Sequence, residues 1–233
     1  MKFKNKLIIA NWKANPQSLD EAISLAEASD VKGLVICPPF VFLKEVAGVL
    51  QKSKLGAQDF KKGLKKLGVE YVIIGHSDRR QNLDETNEMV AKKFSAAIGE
   101  GLIPILCVGE TLEQKRSGQK EKVITEQIQS VFANCKLQIA NFKFFIAYEP
   151  VWAIGTGEEA DSQYVLDMIE FIKKIITERG NLVDKIHFLY GGSIDSSNAK
   201  DFLRHDVITG ALVGGASLDT AEIKKITVIA SEC

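Results

Sequence analysis

Eight short, continuously apolar runs recur along the chain, and they leave few folds open to it. They occupy residues 7–12, 34–37, 55–58, 71–75, 103–108, 142–148, 186–190 and 211–213. A strand with one wet face alternates apolar and polar residues, whereas a run without alternation is covered on both faces. Between the runs lie stretches with helical spacing, at 19–28, 41–51, 85–99, 120–133, 162–179, 197–203 and 220–229. Leu166, Ile169, Ile172 and Ile176 trace the apolar stripe of one of them. Parallel neighbours need a crossover, so this alternation predicts parallel βα units. Eight units close a (β/α)8 barrel, expected as one α/β domain over residues 1–233, with its site at the C-terminal ends of the strands.

A doubly wound open sheet is the alternative. No Gly-x-Gly-x-x-Gly follows the first run, and polar residues instead follow many runs: Asn11, Lys13, His76, Glu110, Glu149 and Ser193. A ring of contributors around a barrel mouth requires that pattern. One unit is short. Only residues 59–69 separate Gln58 from Glu70, close to the roughly 10–12 residues that a crossover with its helix needs. The third unit is therefore expected to have a helix region at 63–68 and almost no loop before it.

With 45% apolar residues in 233, the chain can bury a sizeable core. Thirty basic and thirty acidic residues cancel and are interspersed, which argues against nucleic acid or a membrane surface as partner. The apolar run at 7–10 is too short for a signal-peptide core, and no run approaches a membrane span. Cys37, Cys107, Cys135 and Cys233 are scattered with no Cys-x-x-Cys pair. A reduced, disulfide-free, cytoplasmic protein is the simplest expectation.

The stretch 148–157 (Tyr-Glu-Pro-Val-Trp-Ala-Ile-Gly-Thr-Gly) places Glu149 at the end of the sixth run. Pro150 stiffens one side, Gly155 and Gly157 loosen the other, and Val151, Trp152 and Ile154 lie between. That is the composition of a hinged, water-excluding lid beside a carboxylate, or else of an ordinary strand-to-helix loop with a packed Trp. Lys13, just past the first run, is costly in a barrel mouth unless it meets an anion. Lys2, Lys4 and Lys6 read as surface lysines. Gly192-Ser193 and Gly214-Gly215, after the seventh and eighth runs, put small residues where backbone N–H groups can converge on a phosphate, as barrels often arrange. His187 and His205 read as structural, Cys107 as packing near Glu149, and Glu110 and Arg79 as structural or ion-pair residues.

In these segments the chain resembles the triosephosphate isomerase family along essentially its whole length. The matching motifs are Ala10-Asn11-Trp12-Lys13, Gly75-His76-Ser77-Asp78-Arg79-Arg80, Cys107-Val108-Gly109-Glu110, the 148–157 stretch, Tyr190-Gly191-Gly192-Ser193 and Val213-Gly214-Gly215-Ala216-Ser217. Each is weak alone; six in order are specific. The resemblance implies a TIM barrel that interconverts dihydroxyacetone phosphate and glyceraldehyde 3-phosphate through an enediolate, with neither metal nor organic cofactor. It implies Glu149 as the base, His76 as a neutral proton donor and Lys13 as the electrostatic partner. Asn11, Lys13, Gly155, Ser193, Gly214 and Gly215 would bind substrate. A sugar-phosphate epimerase or synthase would need other acid–base groups, often metal-binding His and Asp residues. A sugar-phosphate-binding barrel with little or no activity is the non-enzymatic alternative.

Two residues depart from the family's pattern, Asp78 where Glu is usual and Asp59 where Asn is usual. A third departure is larger. Relatives carry a long loop after the third strand, with a Gly-Ala-Phe-Thr-Gly-Glu tip that inserts beside a partner subunit's site and steadies its Asn and Lys. That tip is missing here, so a monomer or a weak, non-standard homodimer is expected, with a more mobile Asn11 and Lys13.

Overall fold

The computed structural model describes residues 6–134, 142–155, 160–178 and 186–233. Eight parallel strands close in chain order: β1 (Leu7–Asn11), β2 (Leu34–Cys37), β3 (Lys54–Ala57), β4 (Tyr71–Ile74), β5 (Ile103–Val108), β6 (Phe144–Tyr148), β7 (Ile186–Tyr190) and β8 (Ile208–Val213). The barrel shuts where β8 pairs with β1, Ala10 opposite Val213. Around it lie α1 (Leu19–Ser29), α2 (Leu43–Val49), α3 (Ser77–Asn82), α4 (Asn87–Gly99), α5 (Leu112–Arg116), α6 (Lys120–Asn134), α7 (Ser162–Thr177), α8 (Ala199–Leu203) and α9 (Thr220–Glu232).

The unbroken apolar runs have a direct cause. Ile9, Ile73, Ile105, Phe145, Leu189 and Leu212 form an inner cluster that fills the barrel. Their strand neighbours Ile8, Val72, Leu106, Ile146 and Tyr190 point the other way and join a second cluster under the helices. Successive side chains on a strand face opposite sides, so both parities must be apolar. The helix starts are written locally. Ser18, Thr86, Thr111 and Asp219 each accept backbone N–H groups at the first turns of α1, α4, α5 and α9.

The elements differ from expectation in several places. The 41–51 stretch divides into a 3-10 turn, Phe40–Phe42, and the shorter α2. The eighth strand begins at Ile208, where Thr209 and Gly210 interrupt the apolar pattern; the Thr209 hydroxyl donates to the Phe188 carbonyl beside an irregularity in the β7–β8 register. Short, polar α3 and α5 carry too little apolar periodicity to be seen in sequence. In the third unit the 63–68 region is one 3-10 turn, Leu64–Leu67, bounded by left-handed Gly63 and Gly68. A left-handed glycine at each end stops the helix from growing.

Lys6 is not a surface lysine. It is 5% exposed, and its ammonium donates to the carbonyls of His205 (2.8 Å) and Ile208 (2.6 Å) at the β1–β8 closure. His187 lies toward the start of β7, its ring 5.1 Å from that of Phe145. Burial, and then the charge of Lys143, push its pKa down to about 4.

Candidate functional site

The inward parity of the strands runs on into the barrel mouth. Asn11 lies two residues beyond Ile9, Gly109 beyond Cys107, Glu149 beyond Ala147, Gly191 beyond Leu189 and Gly214 beyond Leu212. A pocket of about 350 Å3 opens there, and Asn11, Lys13, His76, Gly155, Ser193, Gly214 and Gly215 all line it. Gly157 falls outside the described residues.

Lys13 has a left-handed backbone, with φ of 52°. The side chain of Asn11 accepts its N–H at 3.1 Å, and the ammonium lies 3.1 Å from Asp78 Oδ2. Both charged side chains are more than a third exposed, so the pair adds at most about 1 kcal/mol of stability. The shorter Asp78 still reaches the lysine.

Left-handed Gly75 turns the chain out of β4, and Arg80 Nε holds its carbonyl at 2.7 Å. A side chain at this glycine would come within 2.9 Å of Arg80 Nη2. The turn presents His76 as the residue before α3. Its Nδ1 accepts the Asp78 N–H at 3.1 Å, which places the ring proton of the neutral imidazole on Nε2. That nitrogen is 3.3 Å from Glu149 Oε1.

Glu149 is 1% exposed. Oε2 accepts the Ser77 N–H at 3.0 Å, at the first turn of α3, while Oε1 has no hydrogen-bond partner of good geometry among the described residues. Glycines on both sides make the room it occupies. A side chain at Gly109 would fall 1.7 Å from the Glu149 carbonyl oxygen, and one at Gly191 would fall 2.9 Å from Glu149 Cγ. Gln127 pins the Gly109 peptide through both its amide groups, at 2.9 and 3.0 Å. Cys107 sits beneath, fully buried; burial first, and the Glu149 carboxylate second, raise its thiol well above the usual range.

Glu110 departs from the ion-pair expectation. It is fully buried, and among the described residues its partners are neutral: Tyr148 Oη at 3.0 Å, Trp152 Nε1 at 2.9 Å and Tyr164 Oη at 2.9 Å. These bonds hold the start of the stretch that follows Glu149, and the Lys115 ammonium lies 3.2 Å above the Trp152 ring centroid. Arg79 does form ion pairs, with Asp59 at 2.9 Å and Glu85 at 3.4 Å.

At the far side of the pocket, the turn after β8 folds as a 3-10 helix, Gly215–Leu218, closed by the Ser217 N–H and hydroxyl on the Gly214 carbonyl at 2.8 and 2.6 Å. The turn after β7 is shaped by Asn198, which accepts the Asp195 N–H and donates to the Ser193 carbonyl. Asp195 also lines the pocket, but the Ser197 hydroxyl and neighbouring N–H groups hold its carboxyl below the usual range. Of the predicted site residues only Glu149 does not line the pocket: its carboxylate is buried against His76, whose imidazole does line it, together with the Lys13 ammonium and the small-residue turns. The arrangement can move a proton on a small anionic substrate. Gln127 and the two glycines beside Glu149 escaped the sequence reading because each acts on a residue distant in the chain, whereas Asn198 and Arg80 act on near neighbours within turns that carry no pattern of their own.

A profile described as Triosephosphate isomerase matches residues 6–230. The chain belongs to the triosephosphate isomerase family. Curated relatives named triosephosphate isomerase include that of Dictyoglomus thermophilum, 42% identical over 92% of this chain and 95% of its own length. That of Aquifex aeolicus is 38% identical over 95% and 98%, and that of Hahella chejuensis 38% over 98% and 100%. The family's barrel is the fold observed, and the six motifs that carry the resemblance meet at this one mouth. Among the described residues no three His, Cys, Asp or Glu side chains gather as a metal site, and no helix is long and apolar enough to cross a membrane.

Proposed function

We infer that the protein interconverts dihydroxyacetone phosphate and D-glyceraldehyde 3-phosphate, as an aldose–ketose isomerase of glycolysis and gluconeogenesis. The observation that carries this is the contact of the buried Glu149 carboxylate with His76, 3.3 Å apart, where His76 lines the same pocket as Lys13 and the two glycine turns. In this reading the phosphate rests against the backbone N–H groups around Ser193, Gly214 and Gly215, the Ser193 N–H first turning from the Ala153 carbonyl 3.3 Å away, with Lys13 supplying charge and Asn11 holding Lys13. Gly155 adds a further N–H when the lid closes. Glu149 takes a proton from one substrate carbon and returns it to the next. To do so its Oε2 leaves the Ser77 N–H and turns toward the pocket. His76 donates from Nε2 to the substrate oxygen and shuttles the proton between the two oxygens. Closing off water strengthens these charges and protects the enediolate from losing its phosphate.

The same reading takes the protein as one barrel domain and as a monomer or a weak homodimer in the cytoplasm, with triose phosphate as partner and without nucleic acid, membrane or cofactor. The scattered cysteines favour a reduced compartment. The short third unit leaves little to interlock with a second copy.

The deciding assay is turnover of glyceraldehyde 3-phosphate by the protein and by Glu149→Gln. Turnover by the first and a loss of roughly 10³-fold in kcat in the second are expected. Equal rates would remove Glu149 as the base, and no turnover by either would leave a barrel that only binds sugar phosphate.

A further inference from the structure

Lys13 is held in a left-handed conformation that a lysine rarely adopts, so something must impose it. Both polar ends of its backbone are tied by side chains. Asn11 accepts its N–H, and the Gln58 amide donates to its carbonyl at 2.7 Å. The second N–H of the same amide goes to the carbonyl of Cys37 at 3.0 Å, the last residue of β2. An amide nitrogen has two protons, and both are used. Gln58 therefore registers Lys13 against a rigid strand from the first position after β3.

Its neighbour Asp59 fixes the loop in turn. The Asp59 carboxylate receives Lys93 at 2.7 Å and Arg79 at 2.9 Å, and both cations are shared with Glu85, whose side chain is 1% exposed. Arg79 follows Asp78, and Asp78 pairs with the Lys13 ammonium. The contacts form a circuit within one chain. Gln58 holds the Lys13 backbone, Asp78 holds its ammonium, and the Arg79–Asp59 pair joins the two supports.

We propose that Gln58 is a positioning residue for Lys13, and that Asp59 anchors the short loop after β3 from which Gln58 acts. The proposal rests on reading Lys13 as the substrate's phosphate partner. It gives this loop a catalytic-site role that no second chain need supply.

The test uses the full-length protein, Gln58→Met, which keeps the length and removes both donors, and Asp59→Asn, which keeps the shape and removes the charge. Gln58→Met is expected to raise KM for glyceraldehyde 3-phosphate about tenfold, and to weaken inorganic phosphate to a similar degree, read from the phosphate-dependent rise in Tm. Asp59→Asn should act in the same direction by about threefold. In a Lys13→Ala background Gln58→Met should add nothing further, since its effect passes through Lys13. Unchanged KM and phosphate response in both variants would overturn the proposal. So would an equal effect of Gln58→Met with and without Lys13, which marks a general structural role. If Lys13→Ala alone leaves KM and phosphate response unchanged, the reading of Lys13 itself is wrong, a failure distinct from that of the loop. Should Gln58→Met not fold, Asp59→Asn carries the same comparison against Lys13→Ala.

Discussion

Glu149 owes its place to residues that have no chemistry of their own. The sixth strand delivers it with inward parity, but Gly191 and Gly109 decide that a carboxylate fits there at all. Replacing Gly191 with Ala puts a methyl group 2.9 Å from Glu149 Cγ, so the carboxylate must move by several tenths of an ångström. Proton transfer is sensitive to such displacement. Gly191→Ala is expected to lower kcat by about 10²-fold while Tm changes by only a few degrees, checked by steady-state kinetics beside a thermal melt. Fold and site would both survive; only the aim of the base would be lost. His76, Lys13, Asn11 and Glu149 stood out in sequence because each is a polar residue at or just past the end of an apolar run. Gly191 was legible only as a small residue in a turn, since its neighbour Glu149 lies 42 positions away and the contact exists only once β6 and β7 pair, Tyr148 opposite Tyr190.

Turns and short helices, more than the strands, aim these groups. The six-residue α3 contributes the Ser77 N–H to Glu149 and the Asp78 carboxylate to Lys13, and sets the tautomer of His76. The 3-10 turn Val151–Ala153 is held through Trp152 by Glu110. Glu110 is fully buried, with three neutral donors as its partners among the described residues. Truncating it to an apolar group removes the acceptor those donors share, and a lost buried hydrogen bond costs about 1–3 kcal/mol. Glu110→Leu is expected to lose about 3 kcal/mol of stability in urea unfolding and to shift the Trp152 emission. An unchanged midpoint and spectrum would show that this network does not hold the turn. The short elements were hard to foresee because six or fewer residues give no periodicity, even where the cap is the adjacent residue, as with His76 and Thr111.

For the barrel as a unit, closure depends on a bond between the ends of the sequence. β1 meets β8, and Lys6 stitches that seam by capping two carbonyls of the chain entering β8. The third unit, reduced to one 3-10 turn, bears on assembly. Among the described residues, the hydrogen bonds and ion pairs that hold Lys13 come from residues 11–93 of one chain. Activity per mole is accordingly expected to stay constant on dilution from micromolar to nanomolar protein, with sedimentation reporting a monomer. A tight dimer at nanomolar concentration, or activity that falls with dilution, would reverse this reading.

Local chemistry was enough to announce a parallel barrel with its site at one end, because two-sided burial makes strands continuously apolar and polar residues then stand out at their ends. The glycine turns that line the pocket and the neighbours His76 and Glu149 could equally be singled out, since both lie in compact motifs. Folding alone settled the rest. Lys6 looked like solvent-exposed charge until the β1–β8 seam gave it two carbonyls. Gln58 looked like a loop residue until β2 and the left-handed turn at Lys13 brought two acceptors within reach of one amide. The stretch after Glu149 could have been any loop with a packed Trp; the buried Glu110 carboxylate now shows what holds its first turn. Hydrogen bonds and close contacts between residues remote in the chain have no local signature, and they are what turned a readable list of residues into a working geometry.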